Sequence, residues 1–262
     1  MKNLSGRALW LILTIVTLIV VGFVVSEPIP QDPAYHAFVD DRRLFNVPNC
    51  LNVMSNLPFL LVGACGLRYV YQHGNEICMP NLRAAYVVFF SGVLVTSFGS
   101  GCYHLAPSNE TLVWDRLPMT IAFAGLFAVV VGEYVSAPAA RKLLLPLLVV
   151  GVSSVAYWAV SESFGSGDLR PYVVVQFLPM LLIPIILLMY RSRFDSSGYF
   201  WLMLAFYLIA KVFEHFDAAV YGAGYWVSGH TLKHLFASLT PATMLYALML
   251  RARAAQELAT HE

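Results

Sequence analysis

Five residues of this chain have types and spacings that suit metal-assisted hydrolysis. Ser100 and His104 are four residues apart, so on a helix they share one face about 6 Å apart along the axis. Asp115 follows after a short loop, and His230 and His234 again share a helix face. Three neutral imidazoles on one ion leave a fourth tetrahedral position for water, which is typical of catalytic zinc.

The two remaining polar residues then have expected roles. Asp115 is predicted to orient or deprotonate the attacking water, and Ser100 to hydrogen-bond that water or a developing oxyanion. We therefore interpret Ser100 and Asp115 as catalytic, with the three histidines as zinc ligands. The residue types do not distinguish zinc from other divalent ions that bind imidazole.

The composition predicts an all-α, polytopic membrane bundle. Hydrophobic residues make up 59% of the 262 positions and charged residues 12%, where a soluble domain carries about a quarter. Eight apolar runs approach the length that crosses a hydrocarbon core of about 30 Å. They are residues 8–25, 51–71, 84–104, 112–132, 144–160, 171–190, 199–219 and 230–250.

The runs divide the chain into a seven-span hydrolase core and flanking segments. Lys2 and Arg7 precede the first run, as in a signal peptide, but the run exceeds the 7–15 residues usual for one. We therefore favour an uncleaved transmembrane anchor. The predicted segments are an anchor at 1–26, an outer loop at 27–49, the core at 50–251 and a cytoplasmic tail at 252–262.

The distribution of basic residues predicts the orientation. Alternate connections carry Lys2, Arg7, Arg68, Arg83, Arg141, Lys142, Arg191, Arg193, Arg251 and Arg253. The positive-inside rule then puts both termini in the cytoplasm. The end of the third span and the starts of the fourth and eighth fall at the opposite, outer face. Ser100, His104, Asp115 and both later histidines are thus predicted to meet there.

Several other features bear on partners and redox state. The net charge is +1 and no basic block is present, so nucleic acid is not an expected partner, and no protein partner is predicted. The four cysteines form no C-x-x-C pair and are expected to be buried thiols, although a Cys50–Cys102 disulfide remains open. Interface anchors are expected among the aromatic residues Tyr103, Trp114, Tyr221, Tyr225 and Trp226.

Two sets of polar residues have more than one possible role. The seventh span carries a cluster of Lys211, Glu214, His215 and Asp217. Charge pairing within the bundle, with Arg116 or Lys233, is one interpretation, and support of the metal ligands or ligation by His215 is another. Polar residues at the start of the second span are expected to cap a helix or to bridge spans, namely Asn49, Asn52, Ser55 and Asn56.

The pattern resembles the alkaline ceramidase family of seven-span membrane hydrolases. Ser100-x-x-x-His104, Asp115 before Leu117-Pro118-Met119, and His230-x-x-x-His234 occur in that family's order, and Asn52-Val-Met-Ser55-Asn56-Leu-Pro58 is similar to its first-span entry. The wider superfamily includes adiponectin-type receptors. The resemblance covers residues 49–250 and implies zinc at the three histidines, with Ser100 and Asp115 completing the active site. The chain looks like a bacterial-type member with residues 8–25 as an extra N-terminal helix, which implies the bacterial inner membrane as its location.

The same resemblance bears on calcium, which eukaryotic members bind through an acidic segment before the first shared span. Here that segment is shorter, and Asn49 stands where a glutamate ligand is expected. The resemblance therefore implies at most a partial calcium site at Asp40, Asp41 and Asn49.

These observations favour a zinc-dependent amidase that cleaves ceramide or a related N-acyl lipid to a fatty acid and a sphingoid-type base. The expected partner is therefore a membrane lipid substrate. A seven-span receptor that keeps the metal without turnover is the main alternative, although no sizeable soluble domain is present to transmit a signal. A transporter is a further alternative, but no paired broken helices in two symmetric halves are evident.

Overall fold

The computed structural model describes residues 2–194 and 197–260, with side chains at residues 6, 9–194 and 197–257. The predictions for the side chains of Lys2 and Arg7, for Met1 and for residues 261–262 lie outside this part. A 3-10 helix, Pro33–His36, follows the first α-helix. The described α-helices are α1 (Lys2–Val25), α2 (Cys50–Met54), α3 (Leu57–Ile77), α4 (Arg83–Leu105), α5 (Asn109–Tyr134), α6 (Ala137–Ser163), α7 (Arg170–Met189), α8 (Ser197–His215), α9 (Asp217–Gly224) and α10 (Gly229–Thr260).

Seven helical segments are long and apolar enough to cross a membrane: α2 with α3, then α4, α5, α6, α7, α8 and α10. The chain is therefore a multi-pass membrane protein with an all-α fold, which confirms the predicted class. The N-terminal helix α1 is present, but its described apolar part, Leu9–Val25, is shorter than the seven. It packs against α7 and leaves Trp10 and Val24 largely exposed.

Close contact between α4 and α5 depends on glycine. A Cβ added to Gly92 or Gly125 would overlap the backbone of the facing helix, and one at Gly99 would overlap the carbonyl oxygen of Trp114. Small residues allow membrane helices to approach this closely. Because Ser100 follows Gly99 and Asp115 follows Trp114, the same contact brings these two predicted catalytic residues together.

The helices surround a cavity of about 150 Å³. Its walls come from α3, α4, α5, α7, α8 and α10, and α7 and α8 contact each other only slightly. We call the end of the bundle at which α4 ends and α5 and α10 begin the histidine end. At the opposite end Arg251 holds buried Glu133 through two hydrogen bonds of 2.6 and 2.9 Å, and Tyr86 also donates to Glu133.

Residues 27–49, which we call the strap, cross the histidine end. The backbone of Ile29 accepts a hydrogen bond from Leu169 at 2.8 Å, and His36 contacts Tyr103 and Asn109 at 3.0 and 2.9 Å. Hydrogen bonds from Arg170 hold the pKa of nearby Asp168 below its usual range. These contacts on α4, α5 and α7 keep the strap over the bundle.

Candidate metal centre

The three predicted ligands His104, His230 and His234 meet at the histidine end. Each offers a ring nitrogen within 4.8 Å of the others, and all three ring centroids are 4.9 Å apart. The residues are 1%, 6% and 4% exposed. Among the described residues this is the one group of three or more His, Cys, Asp or Glu side chains with metal-binding geometry.

The distance between two of these rings agrees with tetrahedral coordination. Nε2 of His104 and Nε2 of His234 are 3.3 Å apart. Two nitrogens bound at about 2.0–2.1 Å in tetrahedral geometry would be about 3.3–3.4 Å apart. Nδ1 of His104 and Nε2 of His230 are buried without a hydrogen-bond partner in the described part of the chain. A buried three-histidine group that can bind a metal ion is therefore present.

Ser55 orients the ring of His234. Its Oγ lies 2.8 Å from Nδ1 of His234 and also donates to the carbonyl oxygen of Asn52 at 3.0 Å. Because the hydroxyl hydrogen is used on Asn52, Ser55 accepts the proton of Nδ1, which leaves a lone pair on Nε2. This outer contact fixes the tautomer that a metal requires.

The start of α10, which carries His230, is held by side-chain capping. Asp217 accepts a hydrogen bond from the backbone N–H of His230 at 2.7 Å, and Ser228 accepts one from that of Thr231 at 3.1 Å. The hydroxyl of Thr231 donates to Oδ1 of Asn52 at 2.9 Å. Capping satisfies N–H groups that have no partner inside the helix, so the position of His230 depends on these contacts.

The strap covers the rings of the histidine ligands at the histidine end of the bundle. Phe38 packs against His104 and His230, with ring centroids 4.7 and 4.9 Å apart. Asn49 lies at the start of α2 and donates from Nδ2 to the carbonyl oxygen of His104 at 2.8 Å. This hydrogen bond satisfies a backbone acceptor at the end of α4.

Ser100 and Asp115 lie beside the histidine group and are both buried. The hydroxyl of Ser100 interacts with the carboxylate of Asp115. Both residues line the cavity together with His234. The predicted convergence of the two catalytic candidates with the metal ligands is therefore present in the geometry, while their catalytic role stays a prediction.

The three residues considered for calcium have other contacts. Both carboxylate oxygens of Asp40 are held by Arg42, at 2.7 and 2.8 Å, and Asp41 is exposed. The amide nitrogen of Asn49 is used on His104. A cation at Asp40 would have to displace Arg42, so these contacts give the calcium prediction no support.

The polar cluster that the sequence placed on the seventh apolar run lies on α8 and at the start of α9, and its members make different contacts. Glu214 pairs with Lys211 and, at 2.9 Å, with Lys233, which agrees with charge pairing inside the bundle. Asp217 caps α10 and so supports a histidine ligand through the backbone. His215 is exposed and lies outside the three-histidine group.

Some site residues were not identifiable from the sequence pattern. Phe38 belongs to a segment without periodicity, and the access of Lys233 to the cavity depends on the rotation of α10. Of the expected interface anchors, Tyr103 is 1% exposed, so that prediction is wrong for this residue: its ring packs against Phe38, and its hydroxyl contacts His36. All four cysteines are free thiols, so Cys50 and Cys102 form no disulfide. The prediction that they are buried holds for Cys50 and is wrong for Cys65 and Cys102, which are exposed on the outside of their helices.

Comparison with known proteins adds no family to this picture. No model of a known protein family matches the chain, and a search of curated proteins finds none with significant similarity.

Proposed function

We propose that this chain is a zinc-dependent intramembrane hydrolase that cleaves the amide bond of ceramide or a related N-acyl lipid. The observation that carries the proposal is the position of His234, Ser100 and Asp115, which together line one end of a mostly apolar cavity. A metal-binding group, the two predicted catalytic residues and an apolar cavity thus adjoin one another. The products would be a fatty acid and a sphingoid-type base.

The shape of the cavity supports an acyl chain as its occupant. Along α4 the lining runs from Ser100 to Phe89, which spans roughly 16 Å at 1.5 Å per residue. This is about half of a hydrocarbon core of about 30 Å, or one leaflet. At the far end the lining includes Leu126, Ile183 and Phe200. The length of this apolar lining therefore suits the part of an acyl chain that is next to the amide.

The polar end supports recognition of an amide. Nδ2 of Asn56 donates to the carbonyl oxygens of Asn52 and Val53, at 2.8 and 3.3 Å. These two hydrogen bonds fix the orientation of the amide, so the atom on its other side is the oxygen Oδ1. That oxygen is buried and has no hydrogen-bond partner among the described residues, and Asn56 is one of the residues that line the cavity. A buried acceptor is costly when unsatisfied. The N–H of a bound amide would satisfy it.

The residues then divide the reaction between them. A divalent ion on three imidazoles supplies Lewis acidity for amide hydrolysis near neutral pH. Asp115 takes a proton from water and returns it to the leaving amine, while Ser100 hydrogen-bonds Asp115 or the developing oxyanion. Zinc is the proposed metal because catalytic zinc is commonly bound by three protein ligands, such as three histidines, with the fourth position open to water or substrate.

Membership of the alkaline ceramidase family is part of the proposal. It is supported by the convergence of the three histidines with Ser100 and Asp115. The alternation of basic residues supports an orientation with both termini in the cytoplasm and the metal centre towards the outer face of a bacterial inner membrane.

The test is hydrolysis by purified, zinc-loaded protein presented with ceramides and other N-acyl lipids. Asp115→Asn is expected to keep its zinc and to lose about 100-fold or more in rate. Exposed Asp41→Asn serves as the matched control and is expected to retain activity. Zinc-loaded protein that cleaves no N-acyl lipid would contradict the proposal, and tight lipid binding without turnover would favour a receptor.

A further inference from the structure

Lys233 lies inside the bundle beside the proposed active site. It lines the cavity together with Ser100, Asp115 and His234, and its side chain is 18% exposed. It directly precedes His234 on α10 and interacts electrostatically with Asp115. Charged residues within a membrane bundle are expensive and usually functional.

The lysine has hydrogen-bonding capacity to spare. Its ammonium group donates to Oε1 of Glu214 at 2.9 Å, while Lys211 holds Oε2 of the same carboxylate. Within the described part of the chain, Glu214 is the one hydrogen-bond acceptor of Lys233. An ammonium group has three N–H donors, so two of those on Lys233 remain available to a molecule in the cavity.

The ionic groups that interact with Lys233 and Asp115 leave an excess of positive charge. Lys211, Lys233 and Arg116 are positive, whereas Glu214 and Asp115 are negative. Asp217, the other acid at this end, is used on the backbone N–H of His230. The charge of Arg116 adds to this excess, because the partners of its guanidinium are neutral. It donates to the amide oxygen of Gln31 at 2.6 Å and lies 4.2 Å from the ring centroid of Trp158. A divalent metal ion would increase the excess. An anion at this end of the cavity would reduce it.

We propose that Lys233 is a specificity residue that binds an anionic group, a carboxylate or a phosphate, on the amine part of the N-acyl lipid. The inference rests on the proposed hydrolase function and narrows its substrate class from N-acyl lipids in general to those whose amine part carries an anionic group. In the reaction water adds OH to the acyl carbon and H to the nitrogen as the C–N bond breaks. The products are a fatty acid and an acidic amine. The acyl chain occupies the apolar cavity, so the anionic group lies at the polar end with Lys233.

The test compares N-acylglycine with N-acylethanolamine of the same acyl chain, which differ in a carboxylate or a hydroxymethyl group. Zinc-loaded wild type is expected to favour the acid about ten- to a hundredfold in kcat/KM, the range of a hydrogen bond to a charged group. Lys233→Met is expected to lose this preference, and Lys233→Arg to retain most of it. The phosphate ester of N-acylethanolamine forms the third arm and decides between carboxylate and phosphate.

Lys211→Met is the matched control, because Lys211 holds the same glutamate but does not line the cavity. It is expected to leave the preference unchanged. A wild type that favours the neutral lipid, or an equal loss in Lys211→Met and Lys233→Met, would overturn the proposal. Zinc content is measured in each variant, so that a loss caused by misfolding is recognised.

A binding experiment separates this inference from the proposed function. Alkyloxyacetate and 2-alkyloxyethanol of equal chain length carry an ether instead of the amide and cannot be hydrolysed. Wild type is expected to bind the acid about tenfold more tightly than the alcohol, and Lys233→Met to bind both equally. Selective binding without amide hydrolysis would refute the hydrolase proposal alone. Equal binding of both ethers by wild type would refute the role of Lys233.

Discussion

The hydroxyl oxygen of Ser55 lies 2.8 Å from Nδ1 of His234, and the hydroxyl donates a hydrogen bond to the carbonyl oxygen of Asn52. The pair joins the α2–α3 junction to α10, so a turn of the chain far from the H-x-x-x-H sequence determines which nitrogen of His234 is left with a lone pair for a metal ion. A contact of this kind orients a ligand without touching the ion.

Ser55→Ala is therefore expected to weaken metal binding without abolishing it. Loss of an outer-sphere hydrogen bond of this type costs about 10- to 100-fold in metal affinity. Competitive titration with a zinc chelator measures the change. Ser153→Ala is the control, because Ser153 is exposed on α6 and does not line the cavity. An unchanged affinity in Ser55→Ala would show that the ring of His234 is held by other contacts.

Gly99 should not tolerate a methyl group, because its added Cβ would overlap the carbonyl oxygen of Trp114. Overpacking of this kind costs about 1–3 kcal/mol, and it would also separate Ser100 from Asp115. Gly99→Ala is thus expected to lower the melting temperature in detergent and to reduce hydrolysis. Gly101→Ala is the matched control, since nothing lies within 4 Å of its added Cβ. Similar effects of both substitutions would show that the close helix contact is not required.

Phe38 is expected to slow the exchange of the metal ion. Its ring packs on His104 and His230, whereas Phe45, on the same strap, is 94% exposed. Phe38→Ala should release zinc to excess chelator several times faster than wild type, while Phe45→Ala should not. Equal rates in all three proteins would mean that the metal leaves by a route the strap does not cover.

The opposite end of the bundle should affect stability independently of the metal. Glu133 is fully buried and bonded twice by Arg251, and breaking a buried ion pair costs about 3–5 kcal/mol. Glu133→Gln is expected to lower the free energy of unfolding by about this amount with zinc content unchanged. Glu76→Gln, at an exposed position, should have little effect. Loss of zinc in folded Glu133→Gln protein would indicate coupling between the two ends.

Much of this arrangement was predictable from the sequence. Hydropathy predicted eight spans, because a hydrocarbon core demands long apolar helices. Seven of them are long enough to cross a membrane, and the described apolar part of the N-terminal one is shorter. The alternation of basic residues predicted that His104, Asp115, His230 and His234 share one end, since it fixes the direction of each span. The positions of these residues along their helices then brought them to a common depth.

Other parts depended on tertiary contacts that no local pattern encodes. The strap has little regular structure, so nothing in its residues indicated that Phe38 would cover the histidines. The pairing of Lys233 with Glu214 was one of several alternatives, because helix rotation decides which partner an ionisable residue meets. Asn56 was identified as polar and bridging, but its free oxygen became evident only from the two carbonyl oxygens that its nitrogen contacts.

The measurement that tests the account most directly combines metal content with amide hydrolysis in the same purified samples. Wild type and exposed His215→Ala are expected to hold one zinc per chain and to release fatty acid from an N-acyl lipid. His104→Ala, His230→Ala and His234→Ala are expected to lose both the metal and the activity while remaining helical by circular dichroism. Full hydrolysis by any of these three variants, or wild-type zinc content in all of them, would contradict the central claim.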